Sequence, residues 1–223
     1  MPKLCPKVIL EGTRLTHKTE LAFALNEHPR VVGERKYRYH SPVVSGEWCG
    51  MTNTPWGRGL INFEPDELDH ALRTYDAWLQ LIEHLPFFSW IIDRFHISTI
   101  AHQQHVGALN ADQISTLESH LERTERRLRA LGFRLVLCTR SPGSFETART
   151  ERLKISGNPA QYDDLNRFVG EQERLRALAA QSTLETLVLD ISDDDVTAAA
   201  DRVADWLHET GGLHAPPGLA LPG

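Results

Sequence analysis

Val8-Ile9-Leu10-Glu11-Gly12-Thr13-Arg14-Leu15-Thr16-His17-Lys18-Thr19 begins as an apolar run, turns at a glycine and closes on His-Lys-Thr ahead of an amphipathic segment. That order reads as strand, phosphate loop, helix. In the pattern G-x-x-x-x-G-K-[ST] the backbone N–H groups wrap phosphate oxygens, the lysine reaches the β- and γ-phosphates, and the last hydroxyl serves Mg²⁺. Gly12, Thr13, Arg14, Leu15, Thr16, His17, Lys18 and Thr19 are therefore the candidate nucleotide-binding residues, with Lys18 as the phosphate charge and Thr19 as a metal ligand. A helix from Thr19 to about Glu27 would direct its N-terminal dipole at the same phosphates. His17 departs from the pattern, standing where the second glycine belongs. The competing reading is a plain strand–turn–helix with a surface lysine. A strand before and a helix after, close to the N-terminus, are what a mononucleotide-binding α/β unit requires.

The composition suits a globular domain. The chain has 223 residues, 41% hydrophobic and 24% charged. That length is compatible with one domain, expected over residues 1–210 with a flexible tail at 211–223. A net charge of −6 and no basic block argue against nucleic acid as a partner. Cys5, Cys49 and Cys138 are far apart and form no C-x-x-C, which points to a reducing compartment and no structural zinc. No apolar run is long enough to span a bilayer and no secretory h-region opens the chain. A cytoplasmic protein without a membrane partner is the expectation.

Beyond the first helix, Arg30-Val31-Val32-Gly33-Glu34 reads as a second strand, with Glu34 at the end where open α/β sheets place ligands. Tyr37, Tyr39, Trp48 and Trp56 punctuate a long aperiodic stretch from Arg35 to Phe63, either a loop closing over a planar ligand or one packed on the core. Glu64-Pro65-Asp66-Glu67 opens a helix, and Leu68, Leu72, Tyr75, Leu79 and Ile82 carry it to about His84. Phe87 to Ile92 is a buried central strand that emerges in Asp93-Arg94-Phe95-His96. Helices follow over about 97–106 and 112–130, then a strand over 133–138. Arg149, Arg152 and Lys154 lie on a helix-like stretch after Ser141-Pro142-Gly143. A helix over about 160–180, a strand over 186–191 and a C-terminal amphipathic helix complete the chain. The alternation predicts α/β architecture: a five-stranded parallel sheet with helices on both faces.

In this order of elements the chain resembles the thymidylate kinase-like and deoxynucleoside kinase-like P-loop kinases, over roughly residues 7 to 208. Glu11-Gly12 through Lys18-Thr19 is similar to their E-G-x-x-x-x-G-K-[ST]. The stretch from Asp93 to Gln103 is similar to D-R-[YF]-x-x-S-x-x-A-[YF]-Q, the more specific of the two. Arg73 is positioned like an arginine of those kinases, and Arg149 and Arg152 like those of their lid, here around 140–158. The resemblance implies a kinase fold, ATP and Mg²⁺ as cofactors, a small-molecule phosphoryl acceptor and a homodimer. Position 17, the Gly33-Glu34-Arg35-Lys36 strand end and the region from Tyr37 to Phe63 depart from it.

Phosphoryl transfer needs positioning and charge neutralisation more than covalent chemistry. In that chemistry Lys18 and Thr19 would hold the donor, and Asp93 would hold Mg²⁺ directly or through water. Arg94 and Arg73 would bind an anionic acceptor, since a guanidinium fork suits phosphate. Arg149 and Arg152 would close over the transferring group, and Glu34 is the candidate base if the acceptor is a hydroxyl. The expected activity is transfer of a γ-phosphoryl group to a nucleoside monophosphate or related small molecule. Alternatives are a nucleoside or other hydroxyl kinase, a nucleotide-binding protein crippled at His17, and a kinase of nucleic-acid ends. His102 and His105 share a helix face but lack a third ligand for zinc.

Overall fold

Lys7–Glu11 form strand β1, and all five residues are buried. A strand covered on both faces belongs at the centre of a parallel sheet. β1 pairs in parallel with Trp90–Asp93 (β3) on one side and Arg134–Thr139 (β4) on the other. Thr186–Asp190 (β5) extends the sheet beyond β4, and the three-residue Val43–Ser45 (β2) extends it beyond β3, giving the order β2-β3-β1-β4-β5. A computed structural model describes residues 4–33, 43–45 and 59–216 of the chain.

Four strands lie on the apolar runs that suggested them; the second does not. Pro29–Val32 is a single helical turn, α2, rather than the expected strand over 30–34. Proline at the first helical position has φ already set for a helix and no N–H to lose, and the His28 ring accepts from the Arg30 N–H at 3.3 Å. Strand β3 also starts later than its apolar run, because Phe88 N–H turns back to the Leu85 carbonyl and pairing with β1's side begins where Trp90 N–H meets Pro6 O.

Side-chain alternation along the strands builds two cores. Val8 and Leu10 of β1 join Val136 and Cys138 of β4 beneath α1 (Lys18–Glu27), α2 and α8 (Val196–Glu209). Ile9, Leu135 and Leu137 point the other way, beneath α3 (Leu68–His84), α4 (His96–Val106), α5 (Ala111–Ala130) and α7 (Leu165–Ala179). The period of two that defines a strand thus sorts one sequence between two helical layers. A third, small cluster of Phe145, Tyr162 and Phe168 lies between α6 (Ser144–Leu153) and α7, with Leu15 and Leu153 packed on it.

The segment after α8 is not a free tail from residue 211. Cys5 N–H donates to Leu213 O at 2.9 Å, Leu4 bridges antiparallel to His214, and Leu213 is buried. Residues 217–223 lie outside the described residues. No described helix is long and apolar enough to cross a membrane.

One contact sets the geometry of the sheet's C-terminal edge. Glu11 is fully buried, and its carboxylate accepts from Phe95 N–H at 3.0 Å, Ser98 N–H at 3.3 Å and the Ser98 hydroxyl. It thereby satisfies donors at the start of α4 that have no partner within the helix. Glu11→Ala leaves those donors buried without an acceptor, a cost of roughly 3 kcal/mol. The expected result is a melting temperature lower by about 6–12 °C, read by circular dichroism, at a conversion of roughly 2–4 °C per kcal/mol for a chain of this size.

Candidate active site

The turn from β1 into α1 is tight, and its first residue has to be glycine. Gly12 has φ of 152°, and a Cβ there would stand 2.6 Å from the Cys138 carbonyl oxygen and 2.8 Å from Thr16 Oγ1. The loop is braced from within: Thr16 Oγ1 donates to Thr13 O at 2.7 Å, and Lys18 Nζ donates to the same carbonyl at 2.7 Å. Lys18 therefore folds its ammonium over the loop at the head of α1, with only 8% of the residue exposed.

Behind it, Thr19 Oγ1 donates to Asp93 Oδ2 at 2.5 Å. Asp93 Oδ1 is buried and has no donor among the described residues. A buried carboxylate oxygen left without a partner is costly, which calls for a ligand. Hard oxygens from a carboxylate and a hydroxyl, with room for water and phosphate, fit Mg²⁺. The residues present suit the ion that the sequence pattern implies.

Arg94 follows directly. Its backbone has φ of 61°, held by its N–H on Leu10 O at 2.9 Å. The guanidinium donates to Ser98 Oγ at 3.0 Å and to Glu171 Oε1 at 2.7 Å. The other oxygen of Glu171 accepts from Thr13 Oγ1 at 2.6 Å, so one α7 carboxylate bridges the loop and Arg94. Burial pushes that carboxyl up, but Arg94, Thr13 and Lys18 outweigh it and hold it below its ordinary value.

Lys18, Thr19, Asp93 and Arg94 line a cleft of about 560 Å³. The described residues contain four non-glycine positions with positive φ: Leu15 (67°), His17 (49°), Arg94 (61°) and Asp194 (59°). All four line this cleft. Strained backbone of this kind concentrates where a ligand needs a fixed geometry.

Arg152 lines the cleft from the end of α6, donating to Glu20 Oε1 at 3.1 Å and, through Nε, to the Tyr162 hydroxyl at 3.3 Å. Arg149 does not line it. That guanidinium lies 3.3 Å from Glu146 and 3.6 Å from Asp163 instead. Arg73 is likewise elsewhere: it is exposed on α3 and lines a separate shallow groove with His70 and Trp78. Two residues along a helix is about 200° around it, so a position two from both Ala71 and Tyr75, which are buried, must face outward. Arg14 lines the cleft and pairs with Gln161. Glu34 and the aromatics Tyr37, Tyr39, Trp48 and Trp56 lie outside the described residues. His102 and His105 gain no third ligand among the described residues. Glu20 and Asp194 line the cleft and Glu171 braces Thr13 and Arg94 beside it, in addition to the expected residues; each is an ordinary helix or loop acid in sequence, marked by no motif.

Glu20 and His17 are electrostatically tied. The His17 ring, 3.8 Å from Glu20 and 2.8 Å from Asp194, is raised above its ordinary pKa by Glu20 and by Asp194. Glu20 is lowered to about 2, by His17 first and Arg152 after it. A depressed carboxyl contributes stability that is complete above its unfolded value near 4.3 and vanishes as pH falls to the folded value. A raised histidine does the reverse, its contribution complete below about 6.5 and lost as pH rises beyond it. Between pH 4.5 and 2, the melting temperature of the wild type should therefore fall more steeply than that of Glu20→Gln, the difference moderated by solvent because Glu20 is partly exposed. Parallel slopes would show that the pair does not form in solution.

No family model and no curated protein matches the chain. Solved structures do match. The YorR protein of Bacillus subtilis, in complex with phosphorylated GDP, is 15% identical and superposes over 93% of this chain and 99% of its own, with a TM-score of 0.60. Thymidylate kinase from Ehrlichia chaffeensis is 14% identical over 91% and 98%, with a TM-score of 0.56. Deoxyadenosine kinase from M. mycoides, with bound dCTP, is 11% identical over 91% and 99%, with a TM-score of 0.52. Likeness at that identity is likeness of architecture: the chain has the P-loop kinase fold of the thymidylate and deoxynucleoside kinases.

Proposed function

We propose that the protein is an ATP- and Mg²⁺-dependent kinase that transfers the γ-phosphoryl group to a nucleoside monophosphate or a related nucleotide-like small molecule. The observation that carries this reading is Asp93 Oδ1, buried and without a donor, beside the Thr19–Asp93 hydrogen bond at the head of a glycine-opened loop that ends in Lys18. Lys18 would exchange the Thr13 carbonyl for phosphate oxygens, a stronger charge-assisted partner. Mg²⁺, when bound, neutralises charge on the phosphates. Thr19 and Asp93 are the chain's ligands for it. Arg94 lies one residue past Asp93 and lines the same cleft, which suits an anionic acceptor. Arg152 approaches from the α6 side, where a cation faces the transferring group.

A second acceptor class draws support from Glu171. Its carboxylate already neutralises Arg94, and a hydroxyl acceptor needs no free guanidinium. Steady-state assays pairing Mg-ATP with nucleosides and with their monophosphates separate the two. Under the first reading monophosphates are the better acceptors and Arg94→Ala raises their KM. Transfer to uncharged acceptors alone, with KM unmoved by Arg94→Ala, selects the second. In either case Lys18→Ala should lower kcat by roughly 100-fold or more, the scale of removing one positioned charge from a transferring group, with a melting temperature close to wild type. Near-normal turnover in that variant would refute the phosphate-loop assignment.

A further inference from the structure

Arg140, the first residue after β4, is fully buried, and its guanidinium reaches three segments. Its Nε donates to Leu15 O at 2.9 Å, one terminal nitrogen donates to Ser144 O at 3.3 Å, and the other pairs with Asp194 in the β5–α8 connection. Its own backbone is locked on both sides by Gln172, which accepts from Arg140 N–H at 2.7 Å and donates to Arg140 O at 2.8 Å. A buried guanidinium is tolerated only when its donors are met, and a rigid planar fork suits three fixed acceptors. The Asp194 oxygen that takes Arg140 also lies 2.8 Å from His17 Nε2. Leu15 and His17 are the two non-glycine residues of the loop with positive φ, and Arg140 holds the first directly and the second through Asp194.

We propose that Arg140 and Asp194 are positioning residues for the nucleotide, clamping the Leu15 carbonyl and the His17 ring so that the loop keeps left-handed turns that glycine would otherwise supply. The proposal rests on reading the cleft as a nucleotide site. It accounts for the histidine at the glycine position: the side chain that strains the backbone also carries the tether that holds it there. His17 faces Glu20 from its own helix and Asp194 from across the cleft, with Arg152 and Arg140 behind those two acids.

A double-mutant cycle read by isothermal titration with Mg-ATP tests the clamp. Asp194→Ala should weaken binding about tenfold beside His17, but about threefold or less in a His17→Gly background, where glycine enters positive φ without help. Asp194→Asn keeps an acceptor for Arg140 while losing the charge; it should show the same dependence on residue 17 with a smaller loss, and it serves if the alanine variant does not fold. Equal losses in both backgrounds overturn the clamp. Wild-type protein that binds no Mg-ATP refutes the nucleotide reading itself, and the positioning role with it.

Discussion

Glu11 ends the central strand without access to solvent, and its carboxylate is satisfied by two N–H groups and a hydroxyl at the start of α4. Inside a protein such a group tolerates little displacement, because any donor it loses is not replaced by water. The consequence is geometric. With α4 fixed to β1, Asp93 at the end of β3 can stand only against Thr19, and Arg94 must take its left-handed turn with its N–H on Leu10 O. The Thr19–Asp93 pair and the Arg94 turn are thus set by one carboxylate that touches neither pair nor guanidinium.

Three cations of the cleft each have a partner within the chain, two of them carboxylates. Lys18 rests on a carbonyl, Arg94 on Glu171, and Arg152 on Glu20. Half-exposed pairs of this kind contribute little to stability, so exchanging Glu20 for a phosphate at Arg152 costs little. Arg94–Glu171 is different: both partners are largely buried, and Glu171 also holds Thr13. The Arg94 side is therefore the more rigid half of the cleft, and the side facing α6 the more adaptable.

Much of the fold was legible because the decisive strands are buried on both faces and so appear as unbroken apolar runs, as in Val8-Ile9-Leu10 and Leu135-Val136-Leu137. The loop and the Asp93–Arg94–Ser98 patch were legible because their spacing is local. β2 was not, since three residues give no period to read, and Pro29 turned a β-like Val-Val pair into a helical turn. Arg149 and Arg152 are equivalent in sequence, and only the placement of Asp163 and Glu20 distinguishes them. Glu171, Asp194 and Arg140 act across long stretches of chain, through side chains no local pattern marks. The glycine missing at position 17 was visible; the acid that compensates for it was not.

Leu15 packs on the Phe145, Tyr162 and Phe168 cluster, so the β1–α1 loop shares a hydrophobic contact with α6 and α7. Lifting α6 away from the cleft would pull at the loop's own anchor, and withdrawing the loop would loosen α6. That contact would persist at high ionic strength, since apolar contacts, unlike the half-exposed Arg152–Glu20 pair between α6 and α1, are not screened by salt.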